Sequence, residues 1–273
     1  MLIDSHCHLD APEFDADRDQ VWQRAQAAGV QKVVVPAVEV SNFDAVRQLA
    51  QQNEGVYYAL GIHPLYVPRA QPNDLAVLEE TVQQALDDPR FVGIGEIGLD
   101  FFVPELCTPE MRERQLFFYE QQVALAARYQ LPVILHVRRS VDVITKYVRL
   151  HPGLRGIAHA FNGSQQQAEI LVGLGFKLGF GGAMTFERAK QIRRLAADLP
   201  LEAIVLETDA PDIPPAWLGS AGEVDVTPLV RRNEPAQLAR MAHVLAELRD
   251  QPLQRVIKQT GQNAVDVLPR LAR

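Results

Sequence analysis

The residues of this chain best suited to chemistry are histidines and carboxylates at regular intervals. His6 and His8 flank Cys7; His63 lies in Gly61-Ile62-His63-Pro64, and Glu96 in Gly95-Glu96-Ile97-Gly98-Leu99-Asp100. His136, His159 and Asp209 follow, the last within Glu207-Thr208-Asp209-Ala210-Pro211. Residues two apart in an extended segment point to the same side, so both imidazoles of His6-Cys7-His8 face one point while Cys7 faces away. Left unpaired, such buried groups would be costly to desolvate, and a divalent cation supplies the missing partner. Nitrogen and carboxylate donors without thiolate suit Zn, Mn, Ni or Co, and with enough water also Mg. The donors exceed the four of a tetrahedral site. Two divalent cations per subunit are therefore expected, about 3.5–4 Å apart and bridged by Glu96, an arrangement suited to displacement at phosphorus. Asp209 would ligate one of them and orient or deprotonate a water. A single catalytic zinc is the alternative.

These residues need strands to bring them together. Short apolar or β-branched runs alternate with longer amphipathic ones. The strands are expected at Met1–Ser5, Lys32–Pro36, Val56–Leu60, Val92–Glu96, Pro132–His136, Gly156–His159, Lys177–Phe180 and Ile204–Glu207. Helical patterns lie between, such as Asp74–Leu86 and a long helix capped by Thr108, entered at Pro109 and running toward Tyr129. Pro235–Leu248 and Leu253–Leu268 read as closing helices. Strict β/α alternation implies a parallel sheet, and eight units imply closure into a (β/α)8 TIM barrel of the α/β class. No Gly-rich phosphate fingerprint follows the first strand, which argues against an open doubly wound sheet. Five of the seven histidines fall at strand ends, all except His151 and His243. Reactive groups of such barrels sit at the carboxyl ends of the strands.

Composition agrees. The 273 residues are 47% hydrophobic and 22% charged, with glycine and proline dispersed, so one domain spanning 1–273 is expected. The net charge of −7 argues against indiscriminate nucleic-acid binding but not against a local grip on a few phosphates. Two cysteines, Cys7 and Cys107, form no disulfide framework, and no apolar stretch is long enough for a membrane span. The N-terminus lacks the apolar stretch of a signal peptide, so a cytoplasmic location is expected.

At this point a family resemblance is legible. Asp4-Ser5-His6-Cys7-His8-Leu9-Asp10, Gly61-Ile62-His63-Pro64, Gly95-Glu96-Ile97-Gly98-Leu99-Asp100 and Pro132-Val133-Ile134-Leu135-His136 resemble successive motifs of the TatD family. So do His159-Ala160-Phe161-Asn162-Gly163-Ser164, Leu206-Glu207-Thr208-Asp209-Ala210-Pro211 and Arg232-Asn233-Glu234-Pro235. Together they span nearly the whole chain and most resemble the YjjV branch of these metal-dependent hydrolases and deoxyribonucleases. The resemblance implies His6, His8, Glu96 and Asp209 at one metal, and Glu96, His136 and His159 at the other. It also implies that His63 lies beside the metals and touches the scissile phosphate, and that the activity is 3′-to-5′ exonuclease-like. One departure is visible: many relatives continue Ser-Arg-Asp after the histidine matching His136, whereas this chain reads Val137-Arg138-Arg139-Ser140.

The remaining polar and aromatic residues admit two readings. Arg138, Arg139, Arg231 and Arg232 could hold phosphate oxygens, with Arg138 and Arg232 the better candidates, or be solvated or paired with Asp100 or Asp212. Glu207, Asp4 and Asp100 could support ligand imidazoles from behind. Trp217 and Phe161 could stack an unpaired base, although Phe161 fits loop packing better. Pro214–Pro228, with Trp217, Gly219 and Gly222, looks individual to this chain. The leading function is hydrolysis of a phosphodiester in single-stranded DNA or an oligonucleotide, with no membrane and no obligate protein partner. An amide or ester hydrolase, such as an aminoacyl-tRNA deacylase, is the second reading. Relatives of that chemistry often carry a lysine at a strand end to bear the bridging group; here no lysine ends a ligand-bearing strand. A non-catalytic, metal-stiffened binding protein is the third.

Overall fold

The computed structural model describes residues 1–219 and 232–272. Gly222, Pro228 and Arg231 lie outside the described residues. The eight strands are β1 (Leu2–Asp4), β2 (Val30–Pro36), β3 (Val56–Leu60), β4 (Phe91–Asp100), β5 (Val133–Arg138), β6 (Gly156–His159), β7 (Phe176–Phe180) and β8 (Ile204–Leu206). They form one sheet in sequence order, and every adjacent pair is parallel. The Ser5 N–H donates to the Leu206 carbonyl at 3.0 Å and the Asp209 N–H to the His6 carbonyl at 2.9 Å, tying β8 back to β1. The sheet is thus a nearly closed (β/α)8 barrel, as the alternation implied.

Helices α1 (Arg18–Ala27), α2 (Phe43–Gln52), α3 (Asp74–Ala85), α4 (Pro109–Arg128), α5 (Val141–Val148), α6 (Gln165–Gly173) and α7 (Lys190–Asp198) each follow a strand. The expected cap of α4 is present, with the Thr108 hydroxyl accepting the Met111 N–H at 3.2 Å. Among the described residues two further helices follow, α8 (Leu238–Leu248) and α9 (Leu253–Val267).

The strands are buried on both sides, which makes two apolar layers. The larger lies between strands and helices. The smaller fills the barrel with Ile3, Val34, Ala59, Val92, Ile134, Ile157 and Val205, and is closed from below by Ala264, Val267, Leu268 and Leu271. The chain's C-terminal segment therefore seals the amino end of the barrel. Burying each of these large side chains contributes roughly 1.5–3 kcal/mol.

Strand parity carries this floor up to the site. Ile134 and Ile157 point inward, so two residues later His136 and His159 do too, and Glu207 follows Val205 in the same way. Several boundaries shift by one to three residues from expectation, and the largest shift is at β4, which runs ten residues, through Asp100 instead of stopping at Glu96. Gly95 and Gly98 permit this, because a Cβ on Gly98 would run into the His136 carbonyl oxygen and one on Gly95 into Ile134. Backbone contact with β5 thus continues past Glu96, and Asp100 is delivered beside Arg138 as a register partner.

Candidate metal centre

His6, His8, His63, Glu96, His136, His159 and Asp209 converge at the carboxyl end of the barrel. Glu96 is the hub. Its Oε2 lies 3.1 Å from His6 Nε2 and 3.5 Å from His8 Nε2. Its Oε1 lies 3.0 Å from His136 Nδ1, 3.2 Å from His63 Nε2 and 3.4 Å from His159 Nε2. Each carboxylate oxygen thus addresses a different set of imidazoles. Asp209 Oδ1 stands 3.5 Å from His6 Nε2 and 3.7 Å from His8 Nε2, on the Oε2 side. Among the described residues three donor groups lie close enough to share an ion: His6, His8 and Asp209; His6, Glu96 and His159; and His63, Glu96 and His136.

What stands behind each ring separates the imidazoles by role. His136 Nε2 lies 3.0 Å from Asp100 Oδ2, so the proton belongs on Nε2 and the Nδ1 lone pair faces Glu96. His159 Nδ1 lies 3.3 Å from Glu207 Oε1, which likewise leaves Nε2 facing inward. That contact is an ion pair without hydrogen-bond geometry, and the same Glu207 Oε1 accepts the Ala160 N–H. Carboxylates behind imidazoles raise their basicity and fix their tautomer, the arrangement found behind metal-bound histidines. His63 is the reverse case. Its Nδ1 accepts the Leu65 N–H at 3.1 Å, so the neutral ring presents an Nε2–H donor to the site.

Burial and charge set the protonation of the metal-free chain. Desolvation would raise Glu96, but His63, His6 and His159 outweigh it and hold its carboxyl well below the usual range. Desolvation pushes Asp209 up to about 6 against the pull of His159 and His8. Burial lowers His63 to about 4 and, with His159 beside it, holds His6 well below normal. Burial would also lower His8 and His159, yet Glu96 and Asp209 lift them to about 9 and about 10. His136 is raised too, by Asp100 and Glu96 against burial. Protons occupy the places that cations would fill. His6 Nδ1 and Glu207 Oε2 are buried with no partner. A donor set of imidazole nitrogens and carboxylates, deep on the Glu96 side and open at His8, His136 and Asp209, fits divalent cations.

Several neighbours hold this geometry. Asp4, which burial pushes up to about 8, bonds the Thr208 hydroxyl at 2.6 Å and the Thr208 N–H at 2.9 Å, locking the end of β1 to that of β8. The Asn233 amide donates to the Thr208 carbonyl at 2.8 Å and the Asp212 carbonyl at 2.7 Å, bracing the turn where Asp209 has φ of 55°. Two residues without a role in the sequence reading emerge on α4. Gln115 grips the backbone of Asp100, and Gln122 that of Ile62, beside His63. Both are buried, two helical turns apart. Polar residues repeated on the apolar stripe of α4 were the signal that could have found them.

The peripheral candidates divide. Arg138 stays at the rim, half exposed, 3.8 Å from Asp100. Arg232 does not meet the expectation of a free phosphate contact. Its two arms bind Asp17 at 2.8 Å each, one arm also donates to the Glu13 carbonyl, and the guanidinium lies over Phe14. Phe161 is core, and Trp217 is covered by Arg240 and bonded to Gln237. Cys7 and Cys107 are both free. Among the described residues no helix is long and apolar enough to cross a membrane.

Known proteins match this chain over nearly its whole length. The profile of the family described as TatD related DNase matches residues 3–269. The metal-dependent hydrolase YjjV of Escherichia coli is 43% identical over 254 residues, covering 92% of this chain and 91% of the relative. Its crystal structure superposes with a TM-score of 0.88 over 98% of both chains, at 39% identity. The deoxyribonuclease TATDN3 of Homo sapiens is 32% identical over 99% of this chain and 95% of its own. The 3′-5′ ssDNA/RNA exonuclease TatD of Erwinia billingiae is 29% identical over 96% and 97%. The match runs through every strand that carries a donor, and the chain belongs to the TatD-related DNase family of metal-dependent hydrolases.

Proposed function

We propose that this chain hydrolyses phosphodiester bonds in single-stranded DNA or short oligonucleotides and that it does so with two divalent cations. The observation that carries the reading is the division of Glu96, whose Oε2 faces His6 and His8 while Oε1 faces His136 and His159. His6, His8, Glu96 and Asp209 would hold one cation, and Glu96, His136 and His159 the other. The metal is Zn, Mn, Mg, Co or Ni. Bound there, two cations supply the positive charge that acidifies a water and neutralises charge developing at phosphorus.

The chain's own residues do the rest. Asp209, partly exposed, orients the attacking water and takes its proton. Asp100 and Glu207 stand behind His136 and His159, orient the rings so that one nitrogen of each faces inward, and raise their basicity as donors. His63 is neutral at pH 7 and offers its Nε2–H to a phosphoryl oxygen, a donor aimed where charge develops. Arg138 holds the strand at the rim by charge-assisted hydrogen bonds. The family names DNA and RNA as substrates of some relatives, which supports the choice of phosphodiester over amide or carboxylic ester.

The test is hydrolysis of end-labelled single-stranded DNA by metal-loaded protein, with His136→Ala alongside. Stepwise shortening from the 3′ end, lost in the variant, is expected. Absence of cleavage with Mg, Mn, Zn, Co and Ni would overturn the reading.

A further inference from the structure

Among the described residues five large apolar side chains are exposed, and Phe102, at 44%, is one that stands beside the candidate metal centre. Asp100 ties it there. Its Oδ1 accepts the Phe102 N–H at 2.8 Å and the Val103 N–H at 2.9 Å, while its Oδ2 faces His136 Nε2 at 3.0 Å. The guanidinium carbons of Arg138 and Arg139 lie 3.9 and 4.6 Å from the centre of the Phe102 ring. Consecutive residues of a strand point to opposite sides, so two adjacent arginines should not reach one ring. They do so because Arg139 has φ of 55°, a left-handed conformation unfavourable for a residue with a Cβ. The turn is pinned on both sides: the Phe101 N–H donates to the Arg138 carbonyl at 2.9 Å, and the Ser140 hydroxyl to the Leu99 carbonyl at 2.7 Å.

The two cations are brought together without matching anions. Arg138 has Asp100 at 3.8 Å, and that carboxylate is shared with His136. Among the described residues no carboxylate lies within ion-pair distance of Arg139. A strained turn that gathers two undercompensated guanidiniums on an exposed ring is a built anion site, and paired forks match the oxygens of a phosphate.

We infer that Arg138 and Arg139, held together on Phe102, bind the phosphate next to the one that is cut. Asp100 fixes the position: its Oδ2 faces both His136 Nε2 and Arg138, so the guanidiniums sit one side chain out from the site. The inference rests on the phosphodiesterase reading and narrows its substrate to strands with at least two phosphates. Phe102 is a positioning residue, acting through the two arginines.

Oligothymidylates test this. With metal-loaded wild type, kcat/KM rises about tenfold from the dinucleotide, which has one phosphate, to the trinucleotide, which has two. An uncharged methylphosphonate at the linkage that is not cut removes the gain. Arg139→Ala and Phe102→Ala lose the gain and are insensitive to the methylphosphonate, while Phe102→Tyr retains both gain and sensitivity. A wild type indifferent to the second charge, or an Arg139→Ala variant that keeps the full gain, overturns the inference. Equilibrium binding of fluorescein-labelled trithymidylate with phosphorothioate linkages separates it from the function. If no cation supports cleavage yet Arg139→Ala weakens this binding about tenfold, the phosphodiesterase reading fails and the subsite stands. Equal binding by wild type and Arg139→Ala overturns the subsite.

Discussion

At the amino end of the barrel Val267, Leu268 and Leu271 press against Ile3, Val34 and Val92. Arg270 donates to the carbonyls of Leu86, Asp88 and Phe91, and the Asn263 amide to those of Leu201 and Ile204. At the carboxyl end the same strands deliver five imidazoles onto one carboxylate and leave His6 Nδ1 and Glu207 Oε2 without partners. Two residues along a strand separate these regimes, as Ile134 and His136 show. The contrast teaches that stability and chemistry are divided along the barrel axis. The floor is an apolar layer whose Arg270 and Asn263 bond backbone carbonyls, whereas the upper end gathers nitrogen and carboxylate donors that suit divalent cations.

Substitutions at the two ends should therefore fail in different ways. The largest effect is expected from Glu96→Ala, which should lower turnover about a thousandfold and abolish the rise in Tm that metal gives the wild type. Steady-state kinetics and thermal melts with and without chelator would check it. At the floor, Leu268→Ala should cost about 2–5 kcal/mol of stability by denaturant unfolding and leave kcat/KM of the folded enzyme unchanged. A loss of turnover matching that of Glu96→Ala would erase the distinction between the ends.

Smaller changes sharpen it. Asp100→Asn and Glu207→Gln, each behind one imidazole, should weaken metal binding about 10–100-fold in titration calorimetry. Metal binding should also strengthen as pH rises from 7 toward 9. His8 and His159 titrate near 9 and 10 in the metal-free chain, so below those values a cation must displace their protons. Calorimetry in buffers of different ionisation enthalpy would count protons released, and a count of zero at pH 7 would contradict this account. The smallest difference separates two arginines. Arg138→Ala should raise KM for oligonucleotides about fivefold to tenfold, whereas Arg232→Ala should alter Tm and not KM.

The division between ends also explains what could be read in the sequence. Strands and site donors were legible because one period-2 pattern generates both: an inward Ile predicts an inward His two residues on. The extension of β4 to Asp100 was not, because it depends on how closely β5 approaches Gly95 and Gly98. The partner of Arg232 was hidden for a related reason. The motif placed Arg232 at the active face, but Asp17, distant in sequence, captures both arms. Gln115 and Gln122 were hidden because their work is on the backbone of other strands. The tautomer of His63, which distinguishes it from His136 and His159, turns on a single amide from Leu65.

The most direct test of the two-cation centre is anomalous diffraction from crystals grown with manganese. Two peaks are predicted, one beside His6, His8 and Asp209 and one beside His136 and His159, each at ligand distance from a different oxygen of Glu96. A single peak, or two peaks with Glu96 bound to neither, would contradict the account.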